Sequence, residues 1–147
     1  GQIKSKGAYV KKLSIIDNDL PIVNKAMREY MINGTPVEDT INAATELIDF
    51  QKIVKLSGKY DYVEWNGKKF YNKCYRVFAT KLRNYGNVCK VKVKKGTAEK
   101  FANTPVNCWI ENGDIKNKPV PAHIDRQWYI QTAKERLERF FNYETTV

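Results

Sequence analysis

The sequence holds few of the groups from which catalytic centres are built. It has one histidine in 147 residues, which excludes a relay of several imidazoles, and no glycine-rich phosphate loop. Asp61 and Glu64 stand three apart on a predicted strand, so their side chains would point to opposite faces. Asp17 and Asp19 have the setting of turn formers. Nucleases and polymerases need two or more converging carboxylates for their metal ions, so we predict no catalytic residue and no metal site in this chain.

Cysteines and long apolar runs are also scarce. The three cysteines, Cys74, Cys89 and Cys108, are odd in number and far apart, which disfavours both a disulfide framework and the paired ligands of a structural zinc site. Reduced thiols of this kind predict a cytoplasmic protein. No apolar run is long enough to cross a bilayer and no signal peptide is visible, so we expect no membrane as partner. Because the chain begins with Gly1 and not with methionine, we expect it to be a piece of a longer protein.

Acidic residues are few in one segment only. Residues 51–100 carry fourteen lysines and arginines against three acids, Asp61, Glu64 and Glu99, a net charge of +11. Residues 1–50 carry six bases and seven acids, and residues 101–147 carry six of each, so the whole-chain charge of +10 arises in the middle. Such asymmetry indicates a polyanionic partner, most often nucleic acid and sometimes an anionic membrane surface.

Three of these lysines alternate with apolar residues. Residues 88–94 read Val-Cys-Lys-Val-Lys-Val-Lys, which predicts a strand with its lysines on the solvent face and Cys89, Val91 and Val93 on the other. Lysines on one face would stand about 6.6 Å apart and could follow a phosphate backbone. An edge strand protected by charge would show the same pattern.

The remaining pattern predicts an α+β fold. A helix is expected over residues 22–32, ended by Asn33-Gly34, with a second helix capped by Thr35 in a capping box with Glu38. Five to six short strands between residues 50 and 111, with a hairpin turn at Asn66-Gly67, predict a small antiparallel sheet or barrel. A final helix over 126–141 would be capped by Asp125. We treat the chain as one domain, with a helical part (1–48), a basic β part (49–113), and a connector with the C-terminal helix (114–147).

Aromatic residues interleave the basic segment, as in proteins that stack bases. Most of them are expected to serve the core of the sheet, and Tyr60, Tyr62 and Trp65, near the hairpin tip, are the ones expected to be exposed. The predicted nucleic-acid-binding residues within the segment are Lys52, Lys55, Lys59, Lys68, Lys69, Lys81, Arg83, Lys90, Lys92, Lys94, Lys95, Tyr60 and Trp65.

The final helix offers a candidate protein-binding surface. Lys134, Leu137, Phe140 and Phe141 resemble the sliding-clamp-binding box of replication proteins, with lysine where glutamine is usual. An ordinary amphipathic helix would give the same spacing.

Several segments resemble family B DNA polymerases and polymerase-like proteins of phages and prophages. Residues 4–10 (Lys-Ser-Lys-Gly-Ala-Tyr-Val), followed by Asp19, Pro21 and a helix, are similar to the junction between palm and thumb. Residues 75–79, 100–105 and 125–130 resemble the C-terminal ends of the phage and prophage proteins. The β-rich middle departs from the mainly helical thumb of better-known members.

The resemblance implies a thumb-like domain that grips primer–template DNA by its phosphates, with Lys4 and Lys6 near the primer terminus. It also implies that the catalytic aspartates lie upstream of Gly1, so magnesium and nucleotidyl transfer would belong to the parent polymerase, in a bacterial host cell. We therefore predict a non-catalytic DNA-binding domain. The alternatives are a module that docks on a clamp or on the polymerase body, and an independent small nuclease.

Overall fold

Two short helices open the part of the chain that the structure describes. The computed structural model describes residues 19–146, with side chains up to Phe140. Helix α1 is Pro21–Asn33, close to the predicted 22–32, and it has proline in its first turn, where a missing N–H costs little. Gly34 (φ 75°) ends it, as predicted, and donates its N–H to the Tyr30 carbonyl at 2.9 Å.

Helix α2, Val37–Ala43, begins later than predicted and without the expected capping box. Pro36 holds the N-cap position with an extended backbone (ψ 137°), and no side chain caps the helix. Thr35 therefore stands one residue too early to reach the first turn. In place of a side-chain cap, the negative charges of Glu38 and Asp39 in the first turn interact favourably with the positive end of the helix dipole.

Seven short strands follow a 3-10 helix at Leu47–Phe50. They are β1 (Lys52–Lys55), β2 (Tyr62–Trp65), β3 (Lys68–Phe70), β4 (Cys74–Ala79), β5 (Cys89–Lys92), β6 (Thr97–Lys100) and β7 (Cys108–Ile110). They form two antiparallel sheets, one of three strands in the order β1-β4-β7 and one of four in the order β3-β2-β5-β6. The α+β class is confirmed, but the strands number more than the predicted five to six and form two sheets, neither closed into a barrel.

The turns of the four-stranded sheet explain one prediction that held and one that did not. Asn66 (φ 52°) and Gly67 (φ 73°) form the predicted two-residue hairpin between β2 and β3. The segment around Gly96 (φ 63°) turns the chain from β5 back into β6, a strand that was not predicted. Strand β6 escaped prediction because its sequence, Thr-Ala-Glu-Lys, has no apolar alternation and is largely exposed.

Strand β4 divides the interior into two clusters. Phe78 faces the helices and packs with Met27, Ile41 and Tyr129 in the larger cluster. Tyr75 and Val77 face the other way and pack with Val63 and Val88 of the four-stranded sheet. The order of layers is therefore helices, three-stranded sheet, four-stranded sheet. We call the face of the four-stranded sheet toward this second cluster its inner face, and the opposite one its outer face.

The last helix, α3 (Arg126–Thr146), closes the helical layer. Its start was predicted correctly, since the Trp128 N–H donates to the Asp125 carboxylate at 3.3 Å. Tyr129 is fully buried, and its hydroxyl accepts a hydrogen bond from the Ala79 N–H at 3.0 Å, which ties α3 to β4. Among the described residues, no helix combines the length and the apolar character needed to cross a bilayer.

Candidate nucleic-acid interface

The three alternating lysines do not form the predicted exposed row. Lys90 pairs across the sheet with Val63, which is fully buried, and with Glu99. Directly paired residues share a face, so Lys90 and, two residues on, Lys92 belong to the inner face. Val91 lies on the outer face and is nevertheless buried. The alternation was real, but the predicted assignment of its two faces was wrong.

Lys90 and Lys92 are half-buried because aromatic rings cover them. Their ammonium groups lie 4.8 and 4.9 Å from the centroid of the Tyr60 ring, and that of Lys90 lies 5.6 Å from the Phe101 ring. Ring faces attract cations at these distances. Both side chains therefore lie at the margin of the core, with their ammonium groups against aromatic rings.

Two of the three acids in the basic segment accept hydrogen bonds from uncharged donors. The Tyr60 hydroxyl donates to the Glu99 carboxylate at 3.0 Å, and the Val93 N–H donates to the Asp61 carboxylate at 2.7 Å. The third, Glu64, pairs with Lys69 in the register of the sheet. Within the described residues, no lysine of the four-stranded sheet has a carboxylate within 4 Å. Much of the sheet's positive charge is therefore not neutralised by the protein itself.

A pair of tyrosines lies on the outer face. Tyr71, directly after β3, is 69% exposed, and its ring centroid lies 5.8 Å from that of Tyr62. The Lys69 ammonium lies 5.0 Å from the centroid of the Tyr62 ring. Tyr71 is not among the predicted nucleic-acid-binding residues. Its position one step beyond the Val63–Phe70 pair of the hairpin, opposite Tyr62, is the signal that could have identified it.

These groups meet at one end of the four-stranded sheet. Tyr62 pairs with Val91, and Lys92 pairs with Thr97 beside the turn that connects β5 to β6. Lys94 and Lys95 are exposed in that turn, which the Gly96 N–H closes by donating to the Val93 carbonyl at 3.1 Å. We call this surface the tyrosine–lysine end; it consists of Tyr60, Tyr62, Tyr71, Lys69, Lys90, Lys92, Lys94 and Lys95.

The other predicted nucleic-acid-binding residues are exposed elsewhere on or beside the sheets, serve the fold, or lie outside the described residues. Lys52 forms an ion pair with Asp19 at 2.8 Å. Trp65, predicted to be exposed, is half-buried, contacts both core clusters and donates its indole N–H to the Cys108 carbonyl at 2.6 Å. Exposed lysines and an arginine are found on β1, before β2, on β3 and after β4, namely Lys55, Lys59, Lys68, Lys81 and Arg83. Lys4 and Lys6 lie outside the described residues.

Two of the predicted clamp-binding residues, Leu137 and Phe140, pack within their own protein. Leu137 is buried in the helical cluster, and Phe140 is half-buried against it. The Lys134 ammonium lies 3.5 Å from the Glu38 carboxylate of α2. The side chain of Phe141 lies outside the described ones. The spacing of this segment is thus explained, as far as it is described, by packing of α3 on α1 and α2.

The described residues offer little for covalent or metal chemistry. Burial raises the pKa of the Cys108 thiol to about 11 and also raises that of Cys89, so both thiols stay protonated near neutral pH. The only histidine, His123, places its Nδ1 2.9 Å from the Thr80 hydroxyl and its ring 4.7 Å from that of Trp109. Among the residues described, no three histidine, cysteine or acidic side chains lie close enough together to hold a metal ion.

Comparison of the chain with protein-family models, with curated proteins and with solved structures finds no significant match.

Proposed function

We propose that this chain is a non-catalytic nucleic-acid-binding domain that holds DNA by its phosphates at the tyrosine–lysine end. The observation that carries the proposal is the concentration there of five lysines that have no carboxylate within 4 Å in the described part of the chain, beside acids that accept hydrogen bonds from neutral donors. Ammonium groups in this setting can replace the counterions of a polyanion, and counterion release then drives binding.

We also propose which kind of parent protein this domain belongs to. Through the resemblance of residues 4–10 and the later segments to family B-like polymerases, we place it as a thumb-like domain of a phage or prophage DNA polymerase in the bacterial cytoplasm. Phosphate contacts suit that role because a thumb must hold primer–template DNA of any sequence. Magnesium would be needed by the parent polymerase, at carboxylates outside this chain.

Salt-dependent binding tests the proposal. Anisotropy of a fluorescent 20-base-pair duplex would be followed over a series of salt concentrations, for duplexes of two unrelated sequences. We expect the logarithm of the association constant to fall linearly with the logarithm of salt concentration, with the same slope for both sequences. Absence of binding at low salt would overturn the proposal, and the protein-interaction module would then become the leading hypothesis.

A pair of charge variants localises the binding surface. In Lys94→Gln with Lys95→Gln, the magnitude of the salt slope should drop by about two, roughly one for each phosphate that is no longer neutralised. The matched control, Lys25→Gln with Lys116→Gln, removes the same charge from exposed positions on α1 and in the loop before α3. Its slope should stay that of the unmodified chain. Equal drops in both variants would mean that net charge alone, and not the tyrosine–lysine end, drives binding.

A further inference from the structure

Tyr71 presents an aromatic ring to solvent where the fold does not require one. The side chain is 69% exposed and belongs to neither core cluster. Its position is nevertheless defined, because it directly follows β3 and its ring packs at 53° against that of Tyr62. A ring that is both open and held in place is suited to stacking against a flat ligand.

The neighbouring tyrosines are occupied and leave Tyr71 as the open ring. The Lys69 ammonium lies above the half-buried Tyr62 ring at 5.0 Å. The ammonium groups of Lys90 and Lys92 both lie over the Tyr60 ring, and the Tyr60 hydroxyl donates a hydrogen bond to Glu99. The rings of Tyr60 and Tyr62 therefore contact lysine ammonium groups, whereas the ring of Tyr71 is open to stack on a ligand.

Cation and open ring together match one nucleotide of an unpaired strand. Lys69 on the Tyr62 ring stands next to Tyr71, so a phosphate at Lys69 would place the adjoining base within reach of the Tyr71 ring. Within a duplex, the faces of the bases are covered by their neighbours in the stack. Unpaired bases expose those faces, and proteins that bind single strands use aromatic rings beside cations to hold them.

We infer that the tyrosine–lysine end binds single-stranded nucleic acid, with a base stacked on Tyr71 and the adjoining phosphate at Lys69. The inference rests on the proposed function, since it takes the ligand to be nucleic acid, and it adds that an unpaired segment is the part recognised. Beside a primer–template duplex, such a segment is the template strand that has not yet been copied.

The test separates bases from phosphates. Three labelled ligands are compared by anisotropy at one low salt concentration. They are a twenty-nucleotide oligo(dT), an abasic strand with the same number of phosphates as that oligo(dT), and a blunt duplex of twenty base pairs. We expect the chain to prefer oligo(dT) to the abasic strand. Tyr71→Leu should weaken oligo(dT) binding about five- to 150-fold, the range seen for removal of one base–aromatic stack. Its affinity for the abasic strand should stay within about twofold, and Tyr71→Phe should retain the preference.

The control and the contrary outcomes are distinct. Tyr30→Leu removes another exposed tyrosine, on α1, and should leave all three affinities unchanged. If the unmodified chain binds oligo(dT) and the abasic strand equally, or if Tyr71→Leu weakens both equally, the stacking inference is wrong while phosphate binding stands. If none of the three ligands binds at low salt, the proposed function itself is wrong. Thermal unfolding of each variant checks that the fold is intact.

Discussion

Three lysines in and around the helical layer meet carboxylates, whereas three lysines of the four-stranded sheet meet tyrosine rings. Lys134 pairs with Glu38, Lys118 with Glu111, and Lys52 on β1 with Asp19. On the sheet, Lys69, Lys90 and Lys92 lie over Tyr62 and Tyr60 instead. A carboxylate cancels the charge of a lysine, while a ring positions the ammonium and leaves its charge available. The two regions thus differ in whether the charge of these lysines is neutralised within the protein.

The aromatic residues of the two regions should also differ in how much they contribute to the stability of the fold. Phe78 lies fully buried in the helical cluster and stacks on Trp109 with ring centroids 5.1 Å apart. We expect Phe78→Ala to lower the free energy of unfolding by about 3–5 kcal/mol, because it removes a large buried ring and leaves a cavity. Tyr71→Leu should change it by no more than about 0.5 kcal/mol. Urea denaturation measures both, and comparable decreases would show that Tyr71 is a structural residue.

Removal of one acid should sharpen the difference in charge. Glu99→Gln keeps an acceptor for the Tyr60 hydroxyl but removes a negative charge from the strand position opposite Lys90. We expect DNA to bind about threefold more tightly at 0.1 M salt, the size of one weakly screened surface interaction.

A glutamate of the helical layer provides the control. Glu38→Gln removes the partner of Lys134 and should leave the affinity for DNA unchanged. Anisotropy titrations of both variants measure the effect. An equal gain in affinity for Glu38→Gln would mean that the two regions do not differ as we describe.

The smallest expected effect is on how the stability of the fold falls at acidic pH. Burial acts to raise the pKa of Glu111, but hydrogen bonds from Lys118 and Trp109 outweigh it, so the pKa lies below its usual value of 4.5. A carboxyl whose pKa is lower in the folded state contributes stability above its unfolded pKa and loses it as pH falls through the folded one. We expect Glu111→Gln to unfold at a slightly lower temperature at pH 7 and to lose less stability on acidification below about 4.5.

A matched variant identifies the source of that pH dependence. Glu64→Gln removes an exposed carboxylate of the four-stranded sheet that takes no part in the ion pair of Glu111 with Lys118, so its melting temperature should follow pH as the unmodified chain does. Thermal melts between pH 3 and pH 7 test both variants. If Glu111→Gln follows the unmodified chain as well, its ion pair contributes nothing to acid stability.

Short-range signals located most elements of the fold. Gly34 ends α1, Asn66-Gly67 forms a hairpin and Asp125 begins α3, because each depends on the conformation of a few adjacent residues. The charge count likewise identified the segment that carries the candidate interface. Strand β6 and the true start of α2 were missed, since an exposed polar strand has no periodic signal and the backbone of Pro36 moved the helix start by one residue.

The candidate site itself depended on contacts between distant residues. Alternation in residues 88–94 showed that lysines and apolar residues occupy opposite faces, but it could not show which face meets the core. Lys90 of β5 lies on the inner face, where the rings of Tyr60 and Phe101 contact its ammonium group. Leu137 has the spacing of a docking motif, yet α1 and α2 already cover it.

Local backbone preference and composition therefore account for the order of helices and hairpins and for the excess of positive charge in residues 51–100. The pairing of β2 with β3 and of β5 with β6 decided which rings meet which lysines, and so brought Tyr60, Tyr62 and Tyr71 to one end of the sheet. The physical reason is range. Turns and caps are set within a few residues, whereas the register of a sheet and the burial of its faces depend on every element that packs against it.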